Sequence, residues 1–519
     1  MIRGVAFRAL RVWSPLLCIV LLLTAACREP RRRAFVTVDV PVVAITNVRV
    51  IDGTGNPGKD DQTVILENGR IGAVGDARSV AVPAEAYVVD ARGHTLIPGL
   101  VGMHEHLFYQ NSQFAVPAQA AFARLYLASG VTTIRTAGTV DFDGDLRIKR
   151  QIDSGAIPGP KIHVTGPYLH ARSAEPDPEG IAREVASQAD RGATSFKAYM
   201  TLRASELKAA IQEAHTRGLR VTGHLCAVGF REAAAMGLDN VEHGLASNSD
   251  LVWKKEADVC PGQSEVLGEV AHLDVATDRR VHQTIATLVR HGVAVTSTLA
   301  VYETFAGDES ALDPRTPSVL ARWVRKSYES ARARWVNQDG PGARAWAAVL
   351  TREMQFERAF VAAGGRLIAG VDPTGWGGVV AGFGDQRELE LLVEAGLTPE
   401  MAIRVATSNG ADFLYETDRI GTIEVGKQAD LVAVRGNPSA RIADVRNVVL
   451  VFKDGIGYDP EALIAATQGA VGRYDRRQIF HWPFNLILVA LISFLIACIV
   501  LRRLRRRRAM PANAVSLER

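Results

Sequence analysis

IPGLVGMHEHLF, residues 97–108, carries two histidines two positions apart, His104 and His106. Side chains alternate faces along a β-strand, so both imidazoles project to one side if this segment is extended. Neutral imidazole is the commonest side-chain metal ligand near neutral pH. A same-face pair at a strand end can therefore grip one divalent ion. Taken alone, the pair reads equally well as a half-buried polar couple, and the rest of the chain has to decide between the two.

Seven further apolar or β-branched runs resemble the one around His104: VTTIRTAG (131–138), KIHVTGPYL (161–169), SFKAYM (195–200), RVTGHL (220–225), NVEHGL (240–245), VAVTSTLAVYE (293–303) and RLIAGVD (366–372). Short apolar runs bounded by turn residues are how buried parallel strands read. Helical patterns separate several of them, most clearly SELKAAIQEAHTRG (205–218). Eight alternating units predict a (β/α)8 barrel, in which chemistry is supplied from the C-terminal strand ends. Lys197, His224, His243 and Asp372 all fall at such ends.

The motifs PGLVGMHEHL (98–107), GHL (223–225), EHG (242–244) and GVDPTG (370–375), with the closing stretch ATSNGADFLYETDRIGTIEVGKQADLVAV (406–434), resemble the metal-dependent amidohydrolase superfamily. The resemblance covers roughly residues 42–460 and is nearest to the imidazolonepropionase-like and carboxylated-lysine prolidase and dipeptidase branch. It implies two divalent ions, with zinc the default for His/carboxylate ligation. His104, His106 and Asp372 would hold the first ion and His224 and His243 the second, with a CO2-derived carbamate on Lys197 bridging the two. A bridging hydroxide would attack a carbonyl, and Asp372 would act as general base. Members of the family often carry Asp two residues before the first histidine; here the residue is Gly102. An outer contact to His104 is then missing or supplied from elsewhere.

Other readings stay open at this point. Lys197 reads also as an ordinary lysine beside a single ion, His243 as a core histidine, and Asp372 as a helix cap. Tyr109, Arg135, Tyr168, His170 and Tyr302 follow barrel strands and are candidates to meet substrate. The expected function is hydrolysis of an amide, peptide or cyclic amide bond in a small substrate, with a dipeptide or N-acyl amino acid favoured. The alternatives are a mononuclear deaminase or imidazolonepropionase-like hydrolase, and an inactive barrel serving as a tethered binding module.

Outside the barrel (98–414), residues 36–97 and 415–460 alternate in short β-like runs split by glycine-rich turns, and by resemblance join into one small β-sandwich. Two connections are too long to be plain links. The second runs from Glu303 to about Arg358, is helical in pattern over 319–336, and is expected to form a lid that shapes the substrate pocket.

At the N-terminus, Arg3, Arg8 and Arg11 precede an apolar stretch ending in Ala25-Ala26-Cys27, which reads as a secretory signal (1–27) with Cys27 as a lipidation candidate. After a linker (461–483), FNLILVALISFLIACIVL (484–501) predicts a transmembrane helix, and the basic tail (502–519) would lie in the cytoplasm. These readings place the catalytic domain in the periplasm or outside the cell, anchored at the inner membrane. Five cysteines are present; only Cys226 and Cys260 remain in the globular part, as a candidate disulfide. The net charge of +4 is more than supplied by the terminal arginines, so the catalytic part is near neutral and nucleic acid is not an expected partner. The expected partners are a small-molecule substrate and the membrane, with a homo-oligomer left open.

Overall fold

The computed structural model describes residues 32–308, 312–336 and 340–473. The chain divides into two units, Met1–Val471 and Gly472–Arg519, and the described residues lie almost wholly in the first. All eight predicted strands form: β1 (Leu100–Glu105), β2 (Val131–Thr136), β3 (Lys161–His163), β4 (Ser195–Ala198), β5 (Arg220–Gly223), β6 (Asn240–Glu242), β7 (Ala294–Ser297) and β8 (Leu367–Ala369). They pair in parallel as two sheets, β3-β2-β1 and β4 through β8.

Two seams close these sheets into a barrel. Parallel bridges Thr165–Ser195 and Leu169–Ala198 join the third strand to the fourth. At the other seam the Asp372 N–H donates to the His104 carbonyl at 3.0 Å. That approach needs glycine at 370, where a β-carbon would lie 2.3 Å from the His104 Cβ. Among the intervening helices, Ala204–Thr216 buries one stripe that includes Leu207, Ala210, Ile211 and Ala214, the spacing of an amphipathic helix.

The run 293–303 is strand only as far as Ser297, and Leu299–Phe305 is helical. The Glu388 carboxylate accepts the Leu299 and Ala300 amides at 3.2 and 2.8 Å, satisfying donors that a helix start leaves free. The long connection that follows contains helices Thr316–Val319, Arg322–Trp335 and Pro341–Ala362. The middle helix lies across the C-terminal barrel face. Ser327 Oγ accepts from Asn111 in the loop after β1, and Tyr328 stacks on Trp376 in the loop after β8.

The flanking segments meet in one nine-stranded sheet. His94–Pro98, leading into the barrel, pairs antiparallel with Leu431–Arg435, which follows it. Val43, Ile45, Val64, Leu66, Leu431 and Phe452 fill the core of this sheet.

The expectation of a C-terminal transmembrane helix is corrected. No helix among the described residues is long and apolar enough to cross a membrane, and the fold stands as barrel plus flanking sheet. Phe484–Leu501, like the signal segment and Cys27, lies outside the described residues. Hydropathy and flanking charge carry that assignment, whereas every barrel strand is backed by neighbours that pair with it.

Candidate metal centre

Strand alternation puts His104 and His106 on one face of β1, and both rings reach Asp372 at the end of β8. His106 Nε2 lies 3.2 Å from Asp372 Oδ1 and His104 Nε2 lies 3.6 Å from the same oxygen. His243, just past β6, puts its Nε2 4.0 Å from Asp372 Oδ2. Ligand atoms of His104, His243 and Asp372 all lie within 4.8 Å of one another, a grouping able to hold an ion.

Each of these histidines is anchored through its other ring nitrogen. Nδ1 of His104 donates to Glu242 Oε2 at 2.7 Å, Nδ1 of His106 to the Gly138 carbonyl at 3.2 Å, and Nδ1 of His243 lies 3.0 Å from Thr298 Oγ1. Such contacts fix ring orientation and leave Nε2 free to ligate. The departure at Gly102 is explained here: the carboxylate that holds His104 comes from the sixth strand, and the Glu105 carboxyl fills the space beside Gly102, where a β-carbon would lie 2.7 Å from Glu105 Oε1.

His224 completes the cluster from the end of β5, its ring centroid 4.6 Å from that of His243. Lys197 reaches in from β4. Its Nζ is buried, has no hydrogen-bond partner, and lies 3.6 Å from Glu242 Oε1. Beneath the cluster runs a polar layer of the barrel interior. Arg135 bonds Glu242 at 2.8 Å and Asn240 at 3.2 Å, while Thr222 donates to both Glu242 and Asn240.

Burial dominates the electrostatics and favours neutral bases. It depresses His104 to about 4 and His224 to about 3, with Lys197 adding to both, and holds His243 well below its ordinary range. Burial lowers the Lys197 ammonium to about 8. Against the same burial, Lys197, His104 and Arg135 hold Glu242 well below the usual carboxylate range, and His104, the His106 hydrogen bond and His243 do so for Asp372. The result is a set of neutral imidazoles around an ionised carboxylate, which suits a cation. His243 and Asp372 both have left-handed backbones, with φ of 67° and 47°, conformations that non-glycine residues adopt at a cost.

The substrate candidates separate. The phenol of Tyr109 is buried and donates to the Gly377 carbonyl at 3.2 Å, tying the loops after β1 and β8 together. Tyr302 spends its hydroxyl on the His243 carbonyl at 3.0 Å, so it supports the backbone of His243. Arg135 lies inside the barrel, committed to Glu242. Tyr168 packs over Gly138, and His170 is exposed two residues further on.

Tyr199 was missed by sequence reading. Its ring centroid is 5.1 Å from that of Tyr168 and 5.2 Å from that of His224, and both phenols sense the Asp372 charge. The signal was present, because Tyr199 follows Lys197 by two residues. The candidate pair Cys226 and Cys260 is bonded in the structure, with Cα atoms 4.8 Å apart.

Residues 95–456 match the amidohydrolase family, and the chain belongs to it. That family is one of metal-dependent hydrolases, in keeping with the donor set above. Among curated relatives, the chain is 32% identical over 114 residues to an enamidase from Eubacterium barkeri, covering 22% of this chain and 28% of that protein. It is 40% identical over 85 residues to an imidazolonepropionase from Arthrobacter sp. (strain FB24), covering 16% and 21%. These matches thus span less than a third of either relative. A solved structure of a Xaa-Pro dipeptidase with bound methionine in the active site superposes with a TM-score of 0.61 at 21% identity, over 80% of this chain and all of that one (100%). At that identity the likeness concerns the fold.

Proposed function

We propose that this chain hydrolyses an amide, peptide or cyclic amide bond of a small substrate, with dipeptides and N-acyl amino acids the favoured class. The reading rests on one observation above all: the Lys197 Nζ, buried and without a hydrogen-bond partner, at the end of β4 among three histidines and Asp372. A buried amine whose nearest carboxylate, Glu242, lies 3.6 Å away is only partly compensated, and its depressed proton affinity suits conversion to a carbamate. A carbamate presents two anionic oxygens where an ammonium can ligate nothing. His104, His106 and Asp372 would hold one divalent ion, His224 and His243 a second, with carboxylated Lys197 between them and zinc the leading candidate. Such ions supply Lewis acidity, polarising a scissile carbonyl and lowering the pKa of water.

The residues of the chain supply the rest. Asp372 is ionised, so it can take a proton and return it to the leaving nitrogen. Tyr168 and Tyr199 pack together beside His224 and are the candidates to donate to substrate oxygens. The enamidase and imidazolonepropionase relatives support cleavage of a carbon–nitrogen bond. The Cys226–Cys260 bond supports a working place outside the reducing cytosol.

The deciding experiment is metal content per chain after loading with zinc and bicarbonate, followed by turnover on a panel of dipeptides, N-acyl amino acids and cyclic amides. Two ions with hydrolysis of the panel support the proposal. One ion with activity only on imidazole or purine rings would replace it with the mononuclear deaminase-like reading.

A further inference from the structure

The long helix Pro341–Ala362, part of the connection expected to act only as a lid, reaches down to the backbone that carries His243. His243 and Gly244 have successive left-handed backbones, φ 67° and 56°, which reverse the chain at the end of β6. The two amides that follow then point at one side chain. Leu245 N donates to Glu353 Oε2 at 3.0 Å and Ala246 N to Glu353 Oε1 at 2.5 Å. The approach is close enough that a β-carbon at Gly244 would lie 2.3 Å from Glu353 Oε2, so glycine is required there on grounds of space as well as conformation.

Glu353 is fully buried and its hydrogen bonds are these two amides. A carboxyl placed in the interior without a cation is expensive, and what it secures here is the turn directly after a ligand residue. The same helix braces the other side of that residue. Trp346 stacks on Tyr302 at 5.7 Å, and the Tyr302 hydroxyl holds the His243 carbonyl.

We propose that Glu353 is a positioning residue for the metal centre, fixing the His243 imidazole through the Leu245–Ala246 turn, so that the inserted helix is a brace of the ion site. This rests on the reading of His243 as a metal ligand. Outer contacts that orient ligands typically change metal affinity by about 10- to 100-fold when removed.

Cobalt(II) titration of the full chain, followed by visible absorption, tests this without any substrate. Glu353→Gln keeps the size of the side chain but turns an amide –NH2 toward one of the two N–H groups. Glu206→Gln is the control. Glu206 is also buried and accepts two backbone amides, from Asp177 and Arg203, away from the ligand set, and in addition pairs with the Arg203 guanidinium at 3.0 Å. The expected result is a shifted cobalt band and affinity weakened at least about tenfold in Glu353→Gln, with Glu206→Gln like the parent.

An unchanged band and affinity in Glu353→Gln, an equal change in both variants, or an unfolded Glu353→Gln by circular dichroism would each overturn the proposal. Parent protein that takes up no cobalt would overturn the metal-site reading together with it. Normal uptake by parent and Glu353→Gln alike would overturn the brace alone.

Discussion

His104 and Glu242 stand 138 residues apart in sequence, yet Nδ1 of the one lies 2.7 Å from Oε2 of the other inside the barrel. Glu242 is also the partner of Arg135 and Thr222 and the nearest carboxylate to Lys197. One buried carboxylate thus orients His104, a proposed ligand, neutralises an interior arginine and faces the lysine. Replacing it with glutamine should cost about 10- to 100-fold in metal affinity. Leaving Arg135 buried without its counter-charge should cost about 3–5 kcal/mol of stability. Equilibrium metal competition and urea unfolding read the two losses separately; normal values for both would refute the role.

Under the proposed carbamate-bridged site, Lys197→Ala should lower metal content from two ions per chain toward one. Acetate or propionate should restore part of the second ion and part of the activity, by placing a carboxylate where the carbamate would be. Elemental analysis with and without the acid decides this. Full metal content in the variant would remove the carbamate from the account.

Acidic groups packed behind the site make stability depend on pH. Burial raises Asp385 and Glu388 to about 7 and Glu353 to about 8, from ordinary values of 3.8 and 4.5. A carboxyl whose folded pKa is raised contributes stability that is complete below its unfolded pKa and is lost as pH rises through the folded one. His104 and His224, depressed to about 4 and 3, act in the opposite sense, but only below pH 6.5. The melting temperature of metal-free protein should therefore fall between about pH 6.5 and 8. A level or rising profile over that window contradicts the burial of these groups as neutral acids.

The Cys226–Cys260 bond closes a loop with a sequence separation of 34 and begins two residues past His224. Thiol counting under denaturing conditions should find two more thiols after reduction than before. Serine at both positions should cost about 2–4 kcal/mol. Equal counts would show that the bond does not form.

Much of the architecture was legible because its signals are local. Period-two alternation located β1 and placed His104 and His106 together, and the same rule, applied from Lys197, would have found Tyr199. Side chains that act across the barrel leave no such trace. Glu242 sits in NVEHGL as an unremarkable neighbour of a histidine, and only the closed barrel brings it to His104. Tyr302 shows the converse: its position after a strand was read as access to substrate, whereas the structure spends its hydroxyl on the His243 carbonyl. The run through Tyr302 looked extended because its residues favour strands, and a carboxylate from Glu388, distant in sequence, turns it into a helix. The end of the chain reads as a membrane helix from its hydropathy and the basic residues that flank it, signals that no pairing neighbour checks.

The Asp372 N–H bond to the His104 carbonyl makes the barrel's seam and its proposed ion site the same place. A chain emerging from the ribosome acquires the first ligands early but cannot complete the set until its eighth strand docks on its first. Joining them closes a loop of about half the chain, one of the largest entropic costs of this topology. An ion bound there acts as a clasp, and its capture would report that the circle has closed. Fragments ending before Leu367 should lack it however well their own strands have formed.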